Sequence, residues 1–333
     1  MNNFVRHFDE ISKNDFQLTG GKAANLGELS KAGFKVPPGF CVSSRALDHF
    51  IEQNGLGREI AEIAGAFDYD NFVDVDEKTA AIRAMIESAP LPDDLLAEIK
   101  LALKKLMNGG RAFVAVRSSV AVKNSDVSSF PGMMDTYHYL NDEEDVIRHI
   151  KMCFASLWTS RAVHARHHKG VPHENGLIAP IVQKMVFSEV AGILFTANPI
   201  SGSRDELVIE SNWGLGESVV SGKSMNDFFI LNKADLKIKN KKISKKTVMC
   251  TFDQESGCGR KECRVGQSLM NECTLRDEQL NELGRRGLQI EKVFGFPQDI
   301  EWSYEKGELF ILQSRNIRTL NQVKGEKNGP KNS

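Results

Sequence analysis

Two patterns of hydrophobic spacing divide this chain of 333 residues into unlike parts. Between residues 44 and 108, apolar residues recur three and four positions apart, which is the spacing of amphipathic helices. Residues 143–168 are also predicted to be helical. After about residue 185, short runs rich in β-branched and aromatic residues alternate with turn residues, which is typical of strands. The runs IAPIVQKMVF, residues 178–187, and AGILFTANP, residues 191–199, are predicted to be strands that pair with each other. The chain is therefore predicted to be a mixed α+β protein with a division between residues 185 and 200.

The balance of charge argues against several classes of function. The chain has 43 basic and 44 acidic residues, so it offers no electrostatic footprint for nucleic acid or an anionic membrane. No apolar run approaches the roughly 18 residues of a membrane-spanning helix, and the N-terminal residues lack the apolar core of a secretory signal. We therefore expect a cytoplasmic protein that binds neither nucleic acid nor membrane.

The six cysteines predict ordinary thiols. Cys41 and Cys153 lie in apolar surroundings and are expected in the core. The other four lie within one polar stretch, where no pair has C-x2-C spacing and no histidine intervenes. Reduced thiols on a loop or hairpin are favoured there over a metal or redox role for Cys250, Cys258, Cys263 and Cys273.

Two further segments have a distinctive composition. The lysine-rich run at residues 236–248, LKIKNKKISKKTV, predicts a strand ribbon whose lysines face solvent and protect a sheet edge. It precedes a predicted helix at residues 276–294. Residues 319–333 are polar and contain proline and glycine, so they are predicted to be a disordered tail.

Three segments offer groups that can bind an anion. Lys22 follows two glycines and opens a predicted helix, although no Walker A pattern is present and a surface lysine remains an alternative. Arg117 ends a predicted strand, where its guanidinium can bind a phosphate or form a structural ion pair. The segment PGMMDT, Pro131 to Thr136, offers a glycine backbone and a threonine hydroxyl to a ligand.

The segment DIEWSYEKGELFILQSR, Asp299 to Arg315, predicts a β-hairpin. A three-residue loop would put Glu301 opposite Ile311 and gather the odd-numbered residues on one face, whereas a two-residue turn would separate Glu301 from Gln313. With the longer loop, one face carries Glu301, Gln313 and Arg315, and the other buries Trp302, Tyr304, Phe310 and Leu312.

That polar face has two interpretations. Diagonal neighbours lie roughly 7–8 Å apart, so Glu301 and Gln313 can converge on one cation. Magnesium needs only one or two protein oxygens beside water and phosphate, and Arg315 would bind the phosphates. The alternative is a hairpin face that is merely solvated.

Taken together, several blocks of the sequence point to a known family. In chain order they are GGKAANLGELSKAGFKVPPGF, AVRSS, SFPGMMDTY, SLWTSRA, QKMV, GILFTANPISGSRDELVIESNWGLGESVVSG and IEWSYEKGELFILQSR. They resemble the nucleotide-binding N-terminal domain of the phosphoenolpyruvate synthase and pyruvate phosphate dikinase family, which includes rifampicin phosphotransferase. The resemblance covers about residues 10–318. It implies an ATP-grasp fold, in which lobes of residues 1–190 and 191–318 close on the nucleotide.

The resemblance also implies ATP and Mg²⁺ as cofactors. The implied nucleotide-binding residues are Lys22, Arg117, Gly132, Asp135, Thr136, Gln183, Lys184, Met185, Glu301, Gln313 and Arg315. Among them, Lys22, Arg117 and Thr136 would hold phosphates, and the strand from Gln183 to Met185 would meet the adenine. Glu301 and Gln313 would hold magnesium. Lys22, Arg117 and Arg315 are the implied catalytic residues.

Members of the family cleave ATP to AMP and pass the β-phosphate to a histidine on a separate domain, which hands it to a small acceptor. None of the eight histidines here lies in the family's phosphohistidine setting, and His167 and His168 lie in a basic helix instead. A partner domain or subunit bearing the phosphohistidine is therefore expected, as in split systems such as phenylphosphate synthase. A pyruvate-type acceptor is favoured, with a phenol or an antibiotic hydroxyl as alternatives.

One departure from the family pattern bears on activity. The family usually carries an acidic pair six and seven residues after the arginine of AVRSS, where this chain has Lys123 and Asn124. A non-catalytic ATP-binding or regulatory module therefore stays open as a second interpretation. A third is an ATP-grasp ligase that activates a carboxylate.

Overall fold

A computed structural model describes residues 3–107, 112–123, 136–220, 222, 224–317 and 320. The chain divides into two compact units, and each contains both helices and strands. The first unit comprises Met1–Lys31, Pro37–Met185 and Gln254–Gly259, and the second comprises Ala32–Val36, Val186–Asp253 and Arg260–Ser333. The predicted α+β class is confirmed. Each unit combines separate stretches of the chain, whereas the predicted lobes were contiguous.

The first unit is a five-stranded antiparallel sheet covered by helices. Its strands are β1 (Val5–His7), β2 (Gly39–Val42), β3 (Val114–Val122), β4 (Thr136–Leu140) and β5 (Gly176–Lys184), in the order β1-β2-β5-β3-β4. Its helices are α1 (Phe16–Lys31), α2 (Ser44–Gln53), α3 (Gly57–Gly65), α4 (Phe72–Ser88), α5 (Asp93–Met107), α6 (Glu143–Ser156) and α7 (Ser160–His168).

The helices of this unit follow the apolar spacing of the sequence. In α2, for example, Leu47 and Phe50 are buried three residues apart. Residues 143–168 were predicted to be helical and form two helices, because Thr159 begins α7 by accepting a hydrogen bond from Ala162 N at 3.3 Å. The core lies on the sheet face that carries Val114, Val116 and Val182 of β3 and β5, while α1 packs on the opposite face.

The second unit is built on a six-stranded antiparallel sheet of order β13-β12-β6-β7-β8-β9. Its strands are β6 (Val190–Phe195), β7 (Glu206–Trp213), β8 (Asp227–Asn232), β9 (Ile238–Lys242), β10 (Val248–Phe252), β11 (Arg260–Arg264), β12 (Gln298–Glu305) and β13 (Glu308–Asn316). Its helices are α8 (Glu217–Val220) and α9 (Asp277–Phe294). Strands β10 and β11 form a separate hairpin.

The two faces of the second sheet differ in what covers them. Helix α9 packs on one face, where Gly287 lies so near Leu194 that a Cβ there would be 2.6 Å from its side chain. Tyr304 on the same face donates a hydrogen bond from its hydroxyl to Glu282 of α9 at 2.8 Å. The other face carries Glu301, and α8 packs on part of it. The hairpin of β12 and β13 is therefore anchored to α9 through one face, and its other face carries Glu301.

Two predictions about this half of the chain are wrong. Strands β5 and β6 were expected to pair with each other, but β5 pairs with β2 and β3 whereas β6 pairs with β7 and β12. The lysine-rich run does form the edge strand β9, and its lysines are exposed as predicted except for Lys246. Lys246 is fully buried, because its ammonium pairs with Asp227 at 2.6 Å.

Candidate nucleotide-binding site

Lys22 lies where helix α1 restarts after a kink. Gly20 is non-helical, with φ 71° and ψ 166°, and it lies against Ser119 of β3. A Cβ at Gly20 would be 2.4 Å from Ser119 Oγ, which accepts a hydrogen bond from Ala23 N at 3.3 Å. The helix predicted to open at the two glycines is thus present, preceded by one further helical turn. Only glycine fits this contact, so the glycine pair sets the position of Lys22.

Arg117 lies in the middle of a strand rather than at its end. Burial continues past the two serines to Val122, and β3 keeps its ladder with β5 over nine residues. Arg117 is directly opposite Ile181 of β5 and directly opposite Thr136 of β4. Paired residues share a sheet face, and this face is the one on which α1 packs. The structure therefore brings Arg117 and Thr136 together, near the start of the α1 helix that carries Lys22.

Gln183 belongs to the same face of the first sheet. Its side-chain carbonyl accepts a hydrogen bond from Arg117 Nη1 at 3.3 Å, and its amide nitrogen donates to the backbone oxygen of Pro37 at 3.2 Å. Lys184, the next residue, is exposed on the opposite face. Met185 is half-buried and donates from its backbone nitrogen to Phe113 O at 2.8 Å. In this predicted adenine strand, Gln183 therefore contacts a predicted phosphate residue, Arg117.

The terminal hairpin does not have the predicted register. Its turn is the two-residue pair Lys306 and Gly307, both with positive φ, of 51° and 78°. That geometry is favoured in tight hairpins because its twist matches that of the strands. The predicted pairing of Glu301 with Ile311 is therefore wrong. A bulge at Leu312 then shifts the ladder by one residue, since Trp302 pairs with Ile311 whereas Glu301 pairs with Gln313.

The bulge puts Glu301 and Gln313 directly opposite each other on one face. Gln313 Nε2 donates to Glu301 Oε1 at 3.0 Å. The expected grouping of Glu301, Gln313 and Arg315 is confirmed, although by a different route. The apolar face differs from the prediction, because Phe310 pairs with Ser303 on the polar face and Leu312 is half-exposed at the bulge.

Arg315 forms an ion pair that the sequence analysis missed. It lies opposite Asp299, and its Nε and Nη2 are both 2.8 Å from Asp299 Oδ2. Burial raises the pKa of the Asp299 carboxyl, an effect that Arg315 opposes and the neighbouring Glu301 reinforces. The signal in the sequence was the alternation of Asp299 and Glu301 on β12. Asp299 orients the arginine assigned to the phosphates.

The donor chemistry of Glu301 and Gln313 fits Mg²⁺. The pair offers a carboxylate and an amide oxygen, which are hard ligands, and magnesium keeps several waters or phosphate oxygens. The described residues contain no group of three or more histidine, cysteine, aspartate or glutamate side chains suited to a metal.

Three of the residues named in the sequence predictions fall in ranges that the structure does not describe. Gly132, Asp135 and Asn124 lie outside the described residues. Lys123 is described, and its backbone nitrogen donates to Asn175 O at 2.8 Å, just after the end of β3.

Two remaining predictions concern the state of the cysteines and the lack of a membrane-spanning helix. The six cysteines all lie in the described residues and form no disulfide there, and Cys41 and Cys153 are buried as predicted. Cys250 is also buried, in β10, and Cys263 lies in β11 of the same hairpin. None of the helices in the described ranges is both long enough and apolar enough to cross a bilayer.

Comparison with known proteins identifies the family. The family model for the pyruvate phosphate dikinase AMP/ATP-binding domain matches residues 16–332. Phosphoenolpyruvate synthase of Pyrococcus furiosus is 39% identical over 96% of this chain and 44% of its own length. A probable phosphoenolpyruvate synthase of Methanocaldococcus jannaschii is 42% identical over 97% of this chain and 27% of its own length. Rifampicin phosphotransferase of Bacillus cereus is 37% identical over 96% of this chain and 36% of its own length.

The chain spans less than half the length of these curated relatives. The comparison confirms the predicted resemblance, and the two α+β units agree with the ATP-grasp class that it implies. Because the family model covers nearly the whole chain, the protein belongs to the pyruvate phosphate dikinase AMP/ATP-binding domain family.

Proposed function

We propose that this chain is the ATP-binding component of a dikinase-type phosphotransferase and that it binds ATP together with Mg²⁺. The observation that carries the proposal is the pair of Glu301 and Gln313, opposite each other on one face with 3.0 Å between amide and carboxylate. The pair supplies hard oxygens at one point, and polyphosphate oxygens complete the coordination that magnesium prefers. The family description, which names AMP and ATP, supports a nucleotide as the source of those oxygens.

The phosphates are assigned to the cationic and hydroxyl side chains that the fold orients. Lys22, Arg117 and Thr136 bind phosphate oxygens, and Arg315 adds a further positive charge. Phosphoryl transfer depends chiefly on positioning and on neutralising the charge that develops. Gln183 accepts a hydrogen bond from Arg117, and Asp299 accepts two from Arg315. These acceptors restrict the rotamers of both guanidinium groups and so favour a preorganised site.

The remaining nucleotide contacts are proposed from the resemblance. The strand containing Gln183, Lys184 and Met185 meets the adenine, and Gly132 and Asp135 contact the phosphates. The half-buried position of Met185 supports an apolar contact with the base.

The proposed reaction consumes ATP, one water molecule and a histidine of the partner. The β-phosphate is transferred to the histidine, the water accepts the γ-phosphate to give inorganic phosphate, and AMP is released. The histidine belongs to a partner domain or subunit, which passes its phosphate to a small acceptor of the pyruvate type. The names of the relatives support this reaction class, since they include phosphoenolpyruvate synthases and a rifampicin phosphotransferase. An antibiotic or phenol hydroxyl is the alternative acceptor.

A second candidate is a non-catalytic ATP-binding module. It is favoured by Lys123, which places a positive charge where the resemblance implies an acidic residue. The backbone nitrogen of Lys123 donates a hydrogen bond to Asn175 O, which anchors Lys123 at the end of β3.

Calorimetric titration with ATP, with and without Mg²⁺, tests the proposal. We expect wild-type protein to bind ATP much more tightly with Mg²⁺ and Glu301→Gln to lose that dependence. Glu305→Gln is the matched control, because it makes the same change on the same strand. A Glu301→Gln variant with an unchanged response to Mg²⁺ would contradict the site.

Nucleotide analysis separates the two candidate functions. AMP that forms only when a phosphohistidine-bearing partner is added supports the phosphotransferase. Mg²⁺-dependent ATP binding without AMP formation in the presence of that partner supports the non-catalytic module.

A further inference from the structure

Glu210 lies in the same row of the second sheet as the proposed cation ligands. Glu301 of β12 is in register with Ile193 of β6, and Ile193 is in register with Glu210 of β7. Residues in register share a face, so the side chains of Glu210, Ile193 and Glu301 all point to the polar side of the sheet. All three are half-buried. No local pattern in the sequence marks Glu210, because its position relative to Glu301 depends on pairing between strands distant in sequence.

Asn226 holds the Glu210 carboxylate in place. Asn226 Nδ2 donates to Glu210 Oε2 at 3.2 Å, and it also lies 3.5 Å from Val219 O of α8. Asn226 Oδ1 accepts a hydrogen bond from the fully buried Asn212 at 3.4 Å. This chain of amides fixes which end of Asn226 faces Glu210. The carboxylate is therefore positioned rather than free to rotate.

The charge of Glu210 is not neutralised by the described residues. Its hydrogen bond comes from a neutral amide, and it forms no ion pair with any lysine, arginine or histidine that the structure describes. A carboxylate has about four lone-pair sites, so one amide leaves most of its acceptor capacity unused. A half-buried carboxylate of this kind suits a ligand group that carries several donors.

A second cation fits this position poorly. Paired cations that share a phosphate lie about 3.5–4 Å apart. The Cα atoms of Glu210 and Glu301 are two strand spacings apart, about 10 Å. Asn226 precedes β8, on the side of β7 away from β6, so it draws the carboxylate further from Glu301. Glu210 therefore serves a different part of the ligand.

Between the two carboxylates lies Ile193, so the face has an acceptor end, an apolar middle and a cation-binding end. A nucleotide has a matching arrangement, since its ribose separates two vicinal hydroxyl donors from the metal-bound phosphates. Carboxylates bind ribose hydroxyls in other nucleotide sites for the same reason. We propose that Glu210, oriented by Asn226, accepts hydrogen bonds from the ribose hydroxyls of the bound nucleotide. This inference rests on the proposed ATP-binding function.

Binding of three magnesium complexes by calorimetry tests the inference: ATP, 2′-deoxy-ATP and inorganic tripolyphosphate. Wild-type protein should prefer ATP over 2′-deoxy-ATP. The Glu210→Ala variant loses the proposed hydrogen bonds from ribose to a charged acceptor, so it should bind ATP about tenfold more weakly, or weaker still, than the wild type does. The same variant should bind tripolyphosphate as the wild type does. Asn226→Ala, which only releases the carboxylate, should reduce the preference for ATP by a smaller factor.

The control and the contrary results are distinct. Glu278→Ala removes an exposed carboxylate from α9, on the other face of the sheet, and should change none of the three affinities. Equal binding of ATP and 2′-deoxy-ATP by wild type, or an unchanged ATP affinity in Glu210→Ala, overturns the ribose assignment alone. Weaker tripolyphosphate binding in folded Glu210→Ala also overturns it, in favour of a cation role. Wild-type protein that binds none of the three overturns the proposed function as well.

Discussion

Replacing Lys246 by methionine should destabilise the second unit strongly. The side chains of Lys246 and Asp227 are both fully buried, with 2.6 Å between Nζ and Oδ1. The Asp227 carboxylate also accepts hydrogen bonds from the backbone nitrogens of Ser244 and Thr274 and from the Thr274 hydroxyl. Removing the lysine leaves that carboxylate buried without a counter-charge. Breaking a buried pair in this way costs about 3–5 kcal/mol.

Urea unfolding monitored by tryptophan fluorescence measures this loss. Two of the three tryptophans, Trp213 and Trp302, belong to the second unit, so the signal reports chiefly on the affected part. The matched control is Arg58→Met, which breaks the surface pair with Glu62, whose side chains are 90% and 62% exposed. We expect the control to lose less than about 1 kcal/mol, because exposed ion pairs are weak.

The double replacement of Asp227 by asparagine and Lys246 by methionine gives the sharper comparison. It removes both charges, so it should be less destabilised than Lys246→Met alone, since no ion is left unpaired in the interior. A Lys246→Met variant that loses no more stability than Arg58→Met would refute the argument. So would a double variant that is less stable than the single one.

Three further predictions concern the first unit and the hairpin. Gly20→Ala should weaken Mg·ATP binding in titrations and lower the melting temperature, because its Cβ meets Ser119 at 2.4 Å, whereas Gly33→Ala, with φ 81° and nothing within 4 Å, should leave ATP affinity unchanged. Asp299→Asn should lower ATP affinity, because it removes the charged partner of Arg315, but should keep the Mg²⁺ dependence of binding that Glu301→Gln is expected to lose. Loss of both ATP affinity and Mg²⁺ dependence in Asp299→Asn would show that Asp299 binds the cation. Burial lowers the pKa of His173 from 6.5 to about 4, so its contribution to stability is complete above pH 6.5 and is lost as the pH falls towards 4. The urea midpoint of the wild type should therefore fall as the pH is lowered from 7 to 4, and the midpoint of His173→Gln should fall less.

The helices and the polar hairpin face could be predicted because their determinants are local. Apolar residues three and four apart specify α2, α4 and α5 without reference to the rest of the chain. Strand partners could not be predicted in the same way. The run ending at Lys184 and the run beginning at Val190 are adjacent in sequence, yet they belong to different sheets. Neither run contains a local signal for the strand with which it will pair.

The burial of Lys246 was missed for a related reason. In the sequence it is one of several lysines in a polar run, and composition favours a solvated face for all of them. Its partner Asp227 is 19 residues away, at the start of a strand. The cost of burying a lysine is offset only where such a partner lies, and that position is set by tertiary structure.

The terminal hairpin shows how a correct prediction of which residues share a face can rest on a wrong register. The residues of the turn select a two-residue loop, and with strict alternation that loop would put Glu301 and Gln313 on opposite faces. The extra residue at Leu312 reverses the alternation once, between the Trp302 pair and the Glu301 pair. The strand segment near the turn can therefore bury Trp302 and Tyr304 beneath α9, while the segment beyond the bulge brings Gln313 to Glu301. A bulge has a local cost in ladder hydrogen bonds, and here it reconciles a tight turn with the direct pairing of Glu301 and Gln313. The position of the proposed cation thus depends on the combination of turn and bulge, and neither would create the pair alone.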